Sequence, residues 1–376
     1  MNIVKFGDVA SRLNIHVDQA TTTLEYYIGG EHINSSDFMV HKKAPIKGST
    51  IGYQFQFGFE KRDILFMTKN PHLRKASMVD FDGLCSIATF VIRSNDESVL
   101  LQDYLLIEMQ SDRFWDYCEE HKSGGVNYFI NWGTLSNYEF PLPSLAEQKV
   151  LAEKLWVAYE VKQSYLKMIA ATEEMVKAQF VEMFGGGNWE LKSLGEVGSF
   201  KRGGGFQKSD YVEHGIPCIH YGQIHTKFGP FISSHITEIS SDLESKTKFA
   251  SKGDLIIAIT SEDTEGSCKS TAWLGDYPVA VGGHAAIFNH SMNPLYMSFF
   301  FKSKVFNYAK MEYIHGTKVY EIKPDDIAKI SVPCPPMNLQ EQFSAIAQQA
   351  DKSISELRKS VDAIDKVIKS LINENL

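Results

Sequence analysis

One feature narrows the possible folds of this chain more than any other: it is written twice. Pro141-Leu142-Pro143-Ser144-Leu145-Ala146-Glu147-Gln148 and Pro333-Cys334-Pro335-Pro336-Met337-Asn338-Leu339-Gln340-Glu341-Gln342 are both proline-rich turns that run through Glu-Gln into a long helical pattern. Upstream, Phe6-Gly7-Asp8-Val9 echoes Leu194-Gly195-Glu196-Val197. Tyr27-Ile28-Gly29-Gly30 echoes Cys218-Ile219-His220-Tyr221, and Arg62-Asp63-Ile64-Leu65 echoes Gly253-Asp254-Leu255-Ile256. Gly124, Ile130 and Leu135 likewise precede Gly316, Ile322 and Ile327. Echoes in the same order at a nearly constant offset mean duplication, and the period is too long for a solenoid. The chain therefore reads as two tandem units, each closed by a long helix.

The helices declare themselves by period. Phe343, Ala347, Ala350, Ile354, Leu357, Val361, Ile364, Ile368 and Leu371 follow alternating steps of four and three, and all are apolar. Leu155, Tyr159, Lys162, Leu166, Ile169, Glu173, Val176, Phe180 and Met183 follow the same steps, with Lys162 and Glu173 as the polar exceptions. That spacing favours two helices packing on each other through a coiled-coil seam over helices lying separately on their own domains. The expected seam comprises Leu155, Leu166, Ile169, Val176, Ile354, Leu357, Val361, Ile364, Ile368 and Leu371. Gly185-Gly186-Gly187 supplies the stop for the first helix. About 38 residues at roughly 1.5 Å each would make a rod of roughly 57 Å. Before each helix lie short apolar or alternating runs split by Gly, Pro, Asn and Asp, which predict strands and turns. Single helices are predicted near 101–118 and 294–313. The fold class is α+β: two tandem α+β domains alternating with two long helices that pack as an antiparallel coiled coil. The predicted boundaries are 1–140 and 188–335 for the domains, 141–187 and 336–376 for the helices.

Composition bounds the function. A chain of 376 residues with 43% hydrophobic content can bury real cores. No apolar run is long enough to span a membrane, and the N-terminal residues lack the basic and apolar regions of a signal peptide. Five scattered cysteines without a Cys-x-x-Cys pair argue against a disulfide framework or zinc site and fit a reducing cytoplasm. The net charge of -8 argues against a free-standing nucleic-acid binder, while leaving room for local basic patches.

No catalytic constellation emerges. Asn293-Pro294-Leu295-Tyr296 resembles an amino-methyltransferase motif, but Leu295 replaces the second proline and no Gly-rich cofactor loop stands upstream; a helix start explains it. Gly203-Gly204-Gly205-Phe206-Gln207-Lys208-Ser209 lacks phosphate-loop spacing, because Gln207 sits where glycine is required. It reads as a flexible loop able to touch phosphates. Asp325 and Asp326 with Lys329 have no carboxylate counterpart in the first half. No catalytic residue, metal site or cofactor is expected.

What remains is a recognition surface. In the first half the candidates are His32, Asn34, Lys42, Lys43, Arg62, Lys69, Arg74 and Lys75. In the second they are Lys201, Arg202, Gln207, Lys208, His220, Tyr221, Gln223, Lys227 and Lys269. Most lie in predicted loops. Lys and Arg neutralise phosphates, while Asn, Gln, Arg and His can read base edges.

The layout resembles the specificity subunits of type I restriction–modification systems. Its two proline-to-Glu-Gln junctions are similar to that family's joins between recognition domain and helical spacer. Ile64-Leu65-Phe66, Lys69-Asn70-Pro71-His72-Leu73-Arg74-Lys75-Ala76 and Gly215-Ile216-Pro217-Cys218-Ile219 are similar to stretches in its recognition domains. The resemblance implies a non-catalytic cytoplasmic reader of a bipartite, asymmetric target in double-stranded DNA. It also implies partners: two methylation subunits and restriction subunits that carry the chemistry. The alternatives are a reader for a related methylation or phage-defence system, a coiled-coil scaffold that ignores DNA, and a self-sufficient DNA enzyme.

Overall fold

A computed structural model describes residues 2–374. The chain divides into two compact units, residues 1–167 with 357–376, and residues 168–356. Each contains strands, short helices and a stretch of both long helices, Leu145–Phe184 and Met337–Glu374.

In the first unit, Asn2–Lys5 pairs antiparallel with Glu139–Leu142, the strand that leads into the first long helix. A four-stranded antiparallel sheet runs Ala10–Leu13, Thr89–Ser94, Ile64–Met67, Ala76–Met78. A five-stranded sheet runs Ile15–His16, Phe55–Phe59, Gly83–Ser86, Tyr26–Ile28, Ala44–Pro45, with one parallel pair. The second unit repeats the plan. Glu190–Ser193 pairs with Ser331–Cys334, and two five-stranded sheets centre on Leu255–Ala258 and Ile216–Ile219.

The apolar runs in these strands are buried on both faces. Ile64 and Phe66 face a core of helices while Leu65 faces the other sheet. Leu255 and Ile257 face helices while Ile256 and Ala258 face the second sheet. Side chains alternate along a strand, so a strand between two apolar layers needs no polar positions.

Each predicted middle helix is broken in two. Gln102–Gln110 and Asp112–Glu120 meet at Ser111, and Pro294–Phe300 and Lys304–Ala309 are split at Ser303. Each serine caps the helix that follows, accepting from the backbone N–H of Phe114 or Phe306. The periodicity passes through the break because the apolar positions continue on both sides.

The two long helices form an antiparallel coiled coil. In the first unit Leu155 and Tyr159 share a core with Ile368 and Ile372, and Lys162 meets Asp365 at 2.6 Å. In the second, Phe180 and Phe184 hold the Phe343 ring at 5.2 and 5.7 Å, with Val176, Ala347 and Ala350 in the same core. Ile169 and Ile354 are buried, Leu357 and Val361 half-buried, and Ile364 and Leu371 pack at the edge of the first unit's core. Leu166 departs from the expected seam: it is 40% exposed, while Ile169, the next seam position, is buried as expected. An ideal helix drifts against a 3.5-residue repeat, and Leu166 follows the polar step at which Lys162 meets Asp365.

The helix starts also correct the letter alignment. Gln148 Oε1 accepts from Leu101 N, and Gln340 Oε1 accepts from Asn293 N. Gln148 therefore corresponds to Gln340, not to the Gln342 that the Glu-Gln pairs suggest.

Candidate nucleic-acid interface

Several sequence candidates hold the fold together. His32 and Gln223 occupy equivalent positions and do the same work. The His32 Nδ1 accepts from Gly29 N at 2.8 Å, and the Gln223 Oε1 accepts from His220 N at 3.0 Å. Gln223 also donates to Thr237 Oγ1 at 2.9 Å and is only 3% exposed, so its amide has no free edge for a base. It lies within a short helix, Tyr221–Thr226, not a loop. Lys75 and Lys269 are a second matched pair: each ammonium donates to a backbone carbonyl, of Gly30 and of His225.

Other first-unit cations are matched by carboxylates. Arg62 lies between Glu97 (3.2 Å) and Asp103 (3.1 Å), and Arg74 meets Asp112. Arg62 has φ 73°, the left-handed backbone that Gly253 supplies in the second unit with φ 97°. The echo between Arg62-Asp63 and Gly253-Asp254 is thus a turn. Asp63 and Asp254 close it by accepting from the backbone N–H of Glu60 and Ser251. Asn34 donates to Asp37. Lys43 sits over the rings of Tyr26 and Phe81, at 3.8 and 4.4 Å. Lys42 and Lys69 are exposed.

The second unit is different. Lys201 and Arg202 are exposed at the end of the strand Gly198–Arg202, not in a loop. Lys208 lies in the short turn Lys208–Asp210; Gln207 and Lys227 are exposed. Arg202 donates through Nε to Gly283 O at 2.9 Å and meets Glu321 at 3.2 Å. Next to Gly283, the ring of His284 lies 5.1 Å from that of Tyr221, which lies 5.9 Å from His225. His220 stacks on Tyr211 at 5.6 Å, and burial lowers its pKa from the usual imidazole range.

The triple glycine is not a flexible phosphate loop. A Cβ on Gly203 would collide with Gly282 O and Val281 O, and one on Gly204 with Lys246 O; only Gly205 is open. Gly203 N donates to Ala285 O and Gly204 N to Val281 O, fixing the strand end against the turn 282–285. The run is glycine because two backbones touch.

His284, in the turn Gly282-Gly283-His284-Ala285, is not among the recognition candidates: a histidine among turn and strand residues reads by default as structural, and only the fold places it beside Arg202 and Tyr221. Among the described residues there is no group of three or more His, Cys, Asp or Glu able to hold a metal ion, and no helix is long and apolar enough to cross a membrane. All five cysteines are free.

Two α+β units of one plan, each opening into a stretch of the same antiparallel helix pair, define a duplicated domain-and-spacer protein. The sequence matches the type I restriction modification DNA specificity domain over residues 19–162 and 186–364, and the chain belongs to that family. It is similar to the type I restriction enzyme MjaVIII specificity subunit of Methanocaldococcus jannaschii, at 22% identity over 260 residues, 63% of this chain and 61% of that protein. The EcoDI specificity subunit of Escherichia coli is 25% identical over 164 residues, 41% of this chain and 33% of that one. The matched stretches thus span less than two thirds of either relative. In fold, the chain is similar to the type I restriction–modification S subunit from M. genitalium, with a TM-score of 0.56, 12% identity and coverage of 100% of this chain and 96% of that one.

Proposed function

We propose that this chain is the DNA sequence-recognition subunit of a type I restriction–modification complex. Residues 1–140 and 188–335 are the two target-recognition domains, and 141–187 and 336–376 the helical spacers. Each domain reads one half of a bipartite target in double-stranded DNA. The spacers dock two methylation subunits, restriction subunits join them in the cytoplasm, and the chemistry stays on those partners. This chain is the non-catalytic reader and binds no cofactor of its own.

The observation that carries this reading is the pattern of differences between the repeats. Strand register aligns Lys201, Arg202, Tyr221 and His284 of the second unit with Leu13, Asn14, Gly30 and Ala88 of the first. The framework is held in common while the residues at this edge change. That suits two readers of unlike sequences, and so an asymmetric target. The exposed positions Lys42, Lys43, Lys69, Lys201, Arg202, Lys208 and Lys227 supply cations for phosphates. Exposed valines on the first long helix, Val150 (51%) and Val157 (60%), suit docking of another helix.

Modified-base sequencing of host DNA with and without the gene tests this. Deletion should erase methylation at one bipartite, asymmetric motif. An unchanged methylome, or loss of a single continuous motif, would overturn it.

A further inference from the structure

A histidine outside the expected candidates stands at the centre of the second unit's variable edge. Gly282, Gly283, His284 and Ala285 form a tight turn closed by Ala285 N donating to Gly282 O at 2.9 Å. The turn cannot shift freely. Gly203 and Gly204 grip its backbone from one side, Arg202 Nε holds Gly283 O, and Ile259 N donates to His284 O. His284 is exposed on this rigid turn, its ring steadied by Tyr221, itself 41% exposed.

The first unit has the same turn without the side chain. Thr68 N donates to Ala88 O there as Ile259 N does to His284 O, so Ala88 is the structural counterpart of His284. Gly30 stands where Tyr221 does. Phosphate contacts carry no sequence information, and the long Lys and Arg side chains make them from many positions. A pre-oriented side chain present in one reader and replaced by a methyl group in the other belongs to what distinguishes the two half-sites.

We infer that His284, oriented by Tyr221, is a base-reading residue of the second recognition domain, its ring N–H directed to the N7 or O6 acceptor edge of a purine in the major groove. The inference rests on the proposed DNA-reading function and narrows it to one side chain.

The test is selection from randomised duplex DNA by the full chain assembled with its methylation subunits, and by the same assembly carrying His284→Ala or His284→Gln. The parent should enrich a bipartite motif. In both variants one half should lose discrimination at a single position, by about tenfold or more, while the other half and the gap are retained. A motif unchanged in both variants would overturn the assignment. So would a uniform loss of binding to all sequences, which marks a phosphate contact. If the parent enriches no sequence, DNA reading itself fails and takes this inference with it.

Discussion

The side-chain oxygen of Gln148 accepts a hydrogen bond from the backbone N–H of Leu101 at 2.9 Å, while its amide N–H groups donate to Pro143 O and Val99 O. Gln340 makes the matching contacts to Asn293 N at 2.9 Å and Pro335 O at 2.7 Å. Both glutamines are almost fully buried, at 0% and 3% exposure. Each ties the first turn of a long helix to the loop that opens the nearest short helix. Gln148→Ala or Gln340→Ala strands buried backbone groups, and each should cost about 1–3 kcal/mol. Urea denaturation would show this as a lower midpoint at unchanged slope. Equal midpoints for variants and parent would remove the glutamines from the framework.

Gly124 and Gly316 are a second matched pair, with φ of 99° and 111°. A Cβ at either would meet a carbonyl, of Asn127 or of Val319. Gly124→Ala and Gly316→Ala should each destabilise by about 1–3 kcal/mol, whereas Gly205→Ala, with open space around it, should be close to neutral. Thermal melting of the three variants checks the contrast.

Glu108 is fully buried and held by Arg113 and by the Tyr138 hydroxyl at 2.6 Å. At the matching positions the second unit has Phe300, Val305 and Ile330. Arg113→Ala leaves a buried carboxylate without its cation and should cost about 3–5 kcal/mol. Adding Glu108→Gln removes the charge and should recover part of that loss, which a denaturation cycle of the single and double variants measures.

His290 is pushed down to about 4 by burial. Its charged form is disfavoured in the fold, so the unfolded chain binds more protons between pH 4 and the ordinary value of 6.5. Stability should therefore hold above pH 6.5 and fall as the pH drops through that window, by up to about 3 kcal/mol. His290→Phe should flatten the decline in denaturation midpoints between pH 7 and 4.

How far the sequence could be read depended on the kind of interaction. Duplication, the two long helices and the strands around Ile64–Phe66 and Leu255–Ile257 were legible because burial imposes a period on the letters. The breaks in the two middle helices were less so. Ser111 and Ser303 interrupt helices through single side-chain caps, and a cap leaves the apolar spacing intact on either side. Among the recognition candidates, residue type was a poor guide. His32, Gln223, Lys75 and Lys269 look like contacts for a partner, but His32 and Gln223 turn back on backbone N–H groups three residues earlier, and Lys75 and Lys269 donate to carbonyls that only folding brings near.

By itself, then, the sequence determined that this is a duplicated α+β chain with two helical spacers, because periodic burial and ordered echoes are local properties of the letters. Only the tertiary structure decided which glutamine matches Gln148 and which side of the first long helix leaves Leu166 exposed. It also decided that His284 stands beside Tyr221 and Arg202, contributed by strands, turns and helix far apart in the chain. Those outcomes depend on long-range hydrogen bonds and packing, and no short window of sequence records which distant backbone a side chain will meet.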